Sequence, residues 1–370
     1  NGVSGIEKFF DYELKKIAEP LKLTIDTDIQ FLIREELLKA EKIFKNIGSA
    51  AILMNVNNGD IFSLISLPDF DLNKREDIQD LNYTNKVTKG VYELGSVFKT
   101  FTLAAAFDEG IIEPDTEFKN LEKKLICAGH SIEEYDKKMP SKLTAEQILV
   151  RSSNIGSIKI AQQLGIEKFK LFLEKIGILN QIEFDIEEVG QPLDFIWGKC
   201  KLATSSFGHG ITTTPLQLAK AYSIIVNGGY DIKPTLIKKD FKKSDQRNRI
   251  LKEEVSKKIN PILRKVVSTD EGTAHFADVE AIKWLEKQVP RLKQDMVVIQ
   301  KIKLILLCQF FQHQNQNIFY WFYWTNLNLR KNMFIIIEMA DYLIRVTGET
   351  LLVGHQSKLL AKLLKKLDQF

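Results

Sequence analysis

Two short stretches of this chain hold residue types able to make and break an acyl bond. The first is Glu93-Leu-Gly-Ser-Val-Phe-Lys99. Ser96 and Lys99 stand three positions apart, so on a helix the amine lies one turn along, on the same face as the hydroxyl. A serine hydroxyl is a poor nucleophile until a neighbouring base takes its proton. A desolvated lysine can lose its charge and act as that base. A helix opening at Ser96 would also turn its positive end toward a developing oxyanion. The second stretch is Arg151-Ser-Ser-Asn154. In a short turn, Ser152 and Asn154 can aim a hydroxyl and an amide into one cleft, one relaying a proton and the other holding a substrate amide. Each stretch alone is weak evidence, because Ser and Asn lead helices for backbone reasons.

The elements that must carry these residues follow from apolar spacing and from breakers. Ile29, Leu32, Ile33, Leu37, Leu38, Ile43 and Phe44 predict a helix over 28–46, behind the capping types Thr24, Asp26 and Thr27. Two β-rich runs, 49–56 and 61–67, flank Asn58-Gly59 and predict a hairpin that Pro68 ends. A helix pattern runs over 99–110, just after Ser96. Two more, 143–149 and 155–164, flank the Arg-Ser-Ser-Asn turn, and 166–176 follows, closed by Gly177. Pro215 and Gly228-Gly229 bracket a buried helix over 214–227. An amphipathic helix over 253–268 carries Pro261 in its middle, and no internal repeat is present. The architecture this predicts is α/β: a sheet begun by a hairpin, then a mostly helical insertion.

Taken together and in this order, Ser-x-x-Lys followed by Ser-x-Asn resembles the penicillin-binding proteins, whose active-site motifs are S-x-x-K, S-x-N and K-T-G. The likeness extends to Leu23-Thr-Ile-Asp-Thr-Asp-Ile-Gln30, to the hairpin ending in Leu-Pro-Asp-Phe-Asp-Leu-Asn, and to the run from Ala203 to Leu218. That last run and the wording around Ser96 look most like the class B, cell-division transpeptidases. The resemblance implies a β-lactamase-like serine acyl-transferase fold, with an antiparallel sheet flanked by helices plus an all-helical lobe. It implies Ser96 as nucleophile, Lys99 as general base, Ser152 as proton relay and Asn154 as substrate-amide ligand. It also implies peptidoglycan stem peptides ending in D-Ala-D-Ala as substrates, β-lactams as acylating ligands, and divisome proteins as partners. No metal or cofactor is expected. The implied location is the periplasmic face of a bacterial inner membrane, held by one spanning helix. No run in this chain reaches the ~18 to 20 apolar residues such a helix needs.

The family's third motif is missing. No Lys-Thr-Gly occurs, and the text at the expected place is Ala281-Ile-Lys-Trp-Leu-Glu-Lys-Gln-Val-Pro-Arg291. A shifted reading frame accounts for it. Joining the third base of each codon to the first two of the next lets Trp284 to Pro290 spell Val-Gly-Lys-Thr-Gly-Thr. Composition breaks at the same place. Residues 281–370 carry 13 Lys+Arg against 6 Asp+Glu, whereas the first 280 carry 39 against 42. Only Gly348 and Gly354 of the 20 glycines follow Gly272, and three of the four tryptophans lie beyond residue 280. The overall charge of +4 is therefore a sum of unlike parts, and it is too small for a nucleic-acid-coating protein.

The expected division is a lead-in from a missing N-terminal region over 1–22, a truncated transpeptidase domain over 23–280, and an out-of-frame tail over 281–370. The tail's basic pattern at Lys358–Lys366 and its aromatic text at Ile302–Trp324 also fit membrane-surface or single-strand binding. Translation of an AT-rich gene out of frame yields the same Ile, Lys, Asn and Phe more simply. The C-terminal strands are accordingly expected to be disrupted, leaving an apolar sheet edge exposed. The competing reading is a non-catalytic remnant with an adaptor role. Three widely spaced cysteines, Cys127, Cys200 and Cys308, argue against a disulfide scaffold or a Cys-based zinc module and leave the redox compartment open.

Overall fold

Strand β1 (Gly48–Asn55) is buried along all eight residues, and the sheet is built outward from it. The computed structural model describes residues 5–16, 20–44, 46–71, 84–238, 248–275, 304–311 and 318–323. Two short helices, α1 (Gly5–Phe9) and α2 (Asp11–Lys16), bury no residue. Helix α3 (Thr27–Phe44) then leads into β1 and its hairpin partner β2 (Ile61–Leu67). The β1–β2 ladder is antiparallel from Ser49↔Leu67 to Met54↔Ile61, with a register shift at Leu53/Met54. β2 alternates buried and half-buried residues, so it presents one face to the core. Its outer edge is covered by a side chain of α3. Gln30 Nε2 donates to the Leu64 carbonyl at 2.9 Å, while Gln30 Oε1 accepts from Leu64 N–H at 2.9 Å and Ser63 Oγ at 2.7 Å. A single amide thus satisfies edge groups that would otherwise invite another strand.

Two strands beyond residue 280 extend the sheet. β9 (Leu304–Phe311) pairs antiparallel along the whole of β1, from Gly48↔Phe311 to Asn55↔Leu304, and β10 (Ile318–Tyr323) pairs with β9. The sheet order is β10-β9-β1-β2. The expectation of an exposed β1 edge is therefore corrected. An unbroken apolar run such as Leu-Ile-Leu-Leu is strand-forming text, whichever reading frame produced it. Ala281–Arg291 and Lys358–Lys366 lie outside the described residues.

The helical lobe is centred on α4 (Phe98–Asp108), all eleven residues of which are buried. Such a helix has no polar face, and its few polar groups need partners. Thr102 Oγ1 donates to the Ser206 carbonyl at 2.7 Å. The Tyr222 hydroxyl donates to the Val97 carbonyl at 2.8 Å and lies 3.0 Å from Thr100 Oγ1. Around α4 pack α5 (Ala145–Val150), α6 (Asn154–Leu164), α7 (Ile166–Lys175) and α10 (Glu253–Ser268). Helix α8 (Lys199–Ser205) leans on α6, and α9 (Pro215–Val226) joins the lobe to β1. Small two-stranded ribbons complete the fold: β3 (Tyr92–Glu93) with β8 (Thr212–Thr213), β4 (Glu117–Phe118) with β7 (Leu143–Thr144), and β5 (Lys124–Cys127) with β6 (His130–Glu133). A disulfide joins Cys127 at the end of β5 to Cys200 in α8 across 73 positions, with Cα atoms 5.6 Å apart. Cysteine spacing alone gave no pairing.

Local chemistry explains two features that fix α4 and α9. Thr214 and Gln217 form a capping box on α9, each side chain satisfying a backbone group of the other residue. Thr214→Ala should cost about 1 kcal/mol, read as a lowered denaturant midpoint at unchanged slope. The second is a backbone contact. Gly95 N–H donates to the Gly208 carbonyl at 3.3 Å, and a β-carbon on Gly208 would fall 1.9 Å from the Gly95 carbonyl oxygen. Gly208 also has φ of +82°, which L side chains rarely adopt. No rotamer relieves a clash with backbone, so Gly208→Ala should cost about 3 kcal/mol, at the upper end of single-substitution effects. An unchanged midpoint in that variant would refute the contact.

Candidate active site

Ser96 stands in a 3₁₀ turn, Gly95–Val97, that runs directly into α4. It was expected to open an α-helix, and the tighter turn instead sets it just ahead of the α-helical run. The cause is upstream: Gly95 has φ of +64° and is held by Gly208, so the chain enters the helix from a left-handed residue. Ser96 is half-buried, and Lys99 follows three residues later at only 3% exposure.

Lys99 and Ser152 are brought together from segments 53 positions apart. Lys99 Nζ lies 2.7 Å from Ser152 Oγ and 2.6 Å from the Ser152 carbonyl oxygen. The two contacts do different work. A carbonyl oxygen only accepts, so it takes an N–H from the amine in either protonation state and fixes where Nζ sits. A hydroxyl both donates and accepts, so Ser152 Oγ can pass a proton in either direction. Burial of an amine at this depth is costly unless its N–H groups are bonded, and Ser152 supplies two of the acceptors.

Ser152 reaches Lys99 from a strained position. It lies between α5 and α6 with φ of +57°, in the left-handed region that a serine enters at a cost of about 1–2 kcal/mol. The turn is pinned from both sides. Ser152 N–H donates to the Leu149 carbonyl at 3.1 Å and Ser153 N–H to the Ile148 carbonyl at 2.9 Å. Ser153 is the N-cap of α6, its Oγ accepting from Gly156 N–H at 2.9 Å. The Asn154 side-chain amide donates to the Glu133 carbonyl at 2.9 Å, which ties it to the β5–β6 hairpin. Spacing alone did not reveal this hairpin contact, and neither it nor the disulfide has a local sequence signal. The hairpin turn is Ala128-Gly129, with φ of +49° and +82°, where an Asn-Gly pair would have announced it.

Charged groups gather around Glu93, three residues before Ser96. Glu93 meets His209 Nδ1 at 3.1 Å, with His209 stacked against Phe207. Lys201 donates to the Gly210 carbonyl and sits 4.0 Å above the Phe195 ring. Burial pushes its amine below the usual lysine range, and the nearby Glu93 carboxylate opposes that shift. Next to the Ser-x-Asn turn, Arg151 forms a double contact with Glu271, at 2.6 and 3.1 Å, and Thr273 N–H donates to the Val150 carbonyl at 3.3 Å. The loop after α10 therefore returns to the base of the Ser-x-Asn turn just before residue 276.

Known proteins resemble this chain over most of the described fold. The Penicillin binding protein transpeptidase domain matches residues 49–285. The probable peptidoglycan D,D-transpeptidase FtsI of Caulobacter vibrioides is 30% identical over 288 residues, covering 76% of this chain and 48% of that protein. Stage V sporulation protein D of Bacillus subtilis is 30% identical over 298 residues, covering 73% and 44%. The chain spans about half the length of the curated relatives it matches. Among solved structures, the apo transpeptidase domain of Burkholderia pseudomallei penicillin-binding protein 3 shares the fold at a TM-score of 0.66 and 20% identity, covering 93% of this chain and 96% of that one. A peptidoglycan glycosyltransferase from Burkholderia ambifaria gives a TM-score of 0.62 at 25% identity, covering 70% and 78%. With a buried Lys99 hydrogen-bonded to Ser152 and a family match over most of the described fold, the chain belongs to the penicillin-binding protein transpeptidase family, in its class B, cell-division branch.

Proposed function

We propose that this chain is the acyl-transferring part of a serine D,D-transpeptidase that cross-links peptidoglycan stem peptides during septal wall synthesis. The observation that carries the reading is the hydrogen-bonded Lys99–Ser152 pair, 2.7 Å apart, with Ser96 in the 3₁₀ turn that leads into the helix of Lys99. Relatives named as peptidoglycan D,D-transpeptidases support the same substrate class. Ser96 Oγ attacks the carbonyl carbon of the penultimate D-alanine while its proton passes to Lys99 Nζ. The tetrahedral adduct collapses, the C–N bond to the terminal D-alanine breaks, and the leaving amine takes a proton through Ser152. The stem peptide is then held as an ester on Ser96. An amine of a neighbouring stem attacks that ester, gives up a proton along the same relay, and releases Ser96 with its proton restored. Asn154 holds a substrate amide beside the acyl carbon. A β-lactam follows the first half of this course and stops at the ester; a solved relative, penicillin-binding protein 3 of the tuberculosis mycobacterium, is described in complex with aztreonam.

By its family the protein works on the outer face of a bacterial inner membrane, where divisome proteins are its candidate partners. Among the described residues no helix is long and apolar enough to cross a membrane. The same reading treats residues 23–280 as the domain and 281–370 as the product of a shifted frame. Lys-Thr-Gly would supply a carboxylate-binding pair and a strand edge for the donor peptide, and donors aimed at developing charge are a large catalytic term. A chain without it should acylate slowly.

Two measurements test this. Fluorescent penicillin should label the protein at Ser96, weakly compared with a relative that has Lys-Thr-Gly, and Ser96→Ala should abolish the signal. A folded sample with no label supports the inert-remnant reading, and label surviving in Ser96→Ala places the chemistry elsewhere. Sequencing the gene across codons 275–295 should reveal a neighbouring frame that spells Lys-Thr-Gly. Its absence there ends the frameshift explanation.

A further inference from the structure

Glu134 follows β6, is 8% exposed, and belongs to neither of the two motifs. Its carboxylate is nonetheless the most heavily engaged group around the Ser-x-Asn turn. Oε1 accepts from Ser153 Oγ at 2.5 Å and from Ile155 N–H at 3.0 Å, and Oε2 accepts from Asn154 N–H at 2.8 Å. Asn154 N–H and Ile155 N–H are the first backbone donors of α6, which no residue of that helix can satisfy, and the third donor is the hydroxyl of the N-cap residue. An anionic acceptor there is favoured both by the helix end and by the strength of charge-assisted bonds. The residue just before this cluster is Ser152, the strained left-handed residue that meets Lys99.

We infer that Glu134 is a positioning residue for acyl transfer: it holds the backbone of 153–155 so that Ser152 stays on Lys99 and Asn154 stays beside the cleft. The hairpin carrying it is itself fixed. Glu134 N–H donates to the Lys123 carbonyl at 3.2 Å, β5 and β6 pair from Lys124↔Glu133 to Cys127↔His130, and Cys127 is bonded to Cys200 in α8. Asn154 is gripped twice by neighbouring residues of one segment, its backbone by the Glu134 carboxylate and its side chain by the Glu133 carbonyl. A glutamine cannot replace the acid. It has one acceptor oxygen, and its NH₂ would face either the Asn154 N–H or the pair Ser153 Oγ–H and Ile155 N–H, donor against donor.

The inference rests on the reading of Ser96, Lys99, Ser152 and Asn154 as the acyl-transfer site, so its test has one readout that needs no chemistry. In the full chain, Glu134→Gln and Glu134→Ala should raise amide hydrogen exchange over residues 150–158 at least tenfold, with exchange in β1 and α9 unchanged. Both should slow acylation by fluorescent penicillin at least tenfold while the thermal midpoint stays within a few degrees. Glu134→Asp keeps the charge and both oxygens and should recover part of both losses. Unchanged exchange over 150–158 in Glu134→Gln overturns the inference, as does a rise spread evenly over the whole chain. Glu134→Asp behaving no better than Glu134→Ala also overturns it. If the unmodified protein takes no penicillin at all, that failure falls on the functional reading, and the exchange data alone decide for Glu134.

Discussion

A lysine amine held almost wholly out of water sets the terms for everything around it. Lys99 sits on a helix with no solvent-facing side, and its Nζ is placed by the carbonyl and hydroxyl of one residue, Ser152. Ser152 offers both oxygens to that amine from a left-handed backbone. That strain persists only where the surroundings over-determine it. Here they do, through the cap of α6, the backbone bonds back to α5, and the Glu133–Glu134 end of the hairpin. Dependence thus runs outward from the amine to a turn, from the turn to a ribbon, and from the ribbon to a covalent link with α8.

The near side of the nucleophile obeys a different constraint, that of backbone approach. Gly95 and Gly208 meet without intervening side chains, and both have positive φ. The 3₁₀ turn carrying Ser96 is therefore set against the Ser205–Gly210 segment by direct backbone contact, and side-chain bonds from Tyr222 to Val97, from Thr102 to Ser206 and between Glu93 and His209 reinforce it.

The sequence made the periodic parts of this fold legible. Helices at 98–108, 154–164, 215–226 and 253–268 lie within a residue or two of where apolar spacing and breakers put them, and the β1–β2 hairpin follows from Asn58-Gly59. Ser96, Lys99, Ser152 and Asn154 were visible as types at spacings. That Lys99 meets Ser152 was implied only by resemblance, since 53 positions separate them. The β5–β6 ribbon stayed hidden because its turn uses Ala128 in a left-handed conformation, and Glu134 because acidic capping from another segment has no periodic trace. At β9 the pattern was legible and the inference from it was not. An apolar run signals a strand, yet its origin in a foreign-looking composition argued for disruption, whereas edge pairing on β1 requires only backbone groups and a strand-forming run.

The bond between Cys127 and Cys200 divides the proposed site in a way that distance does not reveal. It closes a covalent ring containing Ser152 and Asn154, with Ser96 and Lys99 on the chain outside it. A single backbone cut within the ring releases no fragment, because the two pieces remain joined through sulfur. A cut between Lys99 and Cys127 separates nucleophile from relay as independent polypeptides. The site is one constellation in space but two parts in connectivity, and after such a cut non-covalent contacts alone, the Lys99–Ser152 hydrogen bonds among them, would keep them in register.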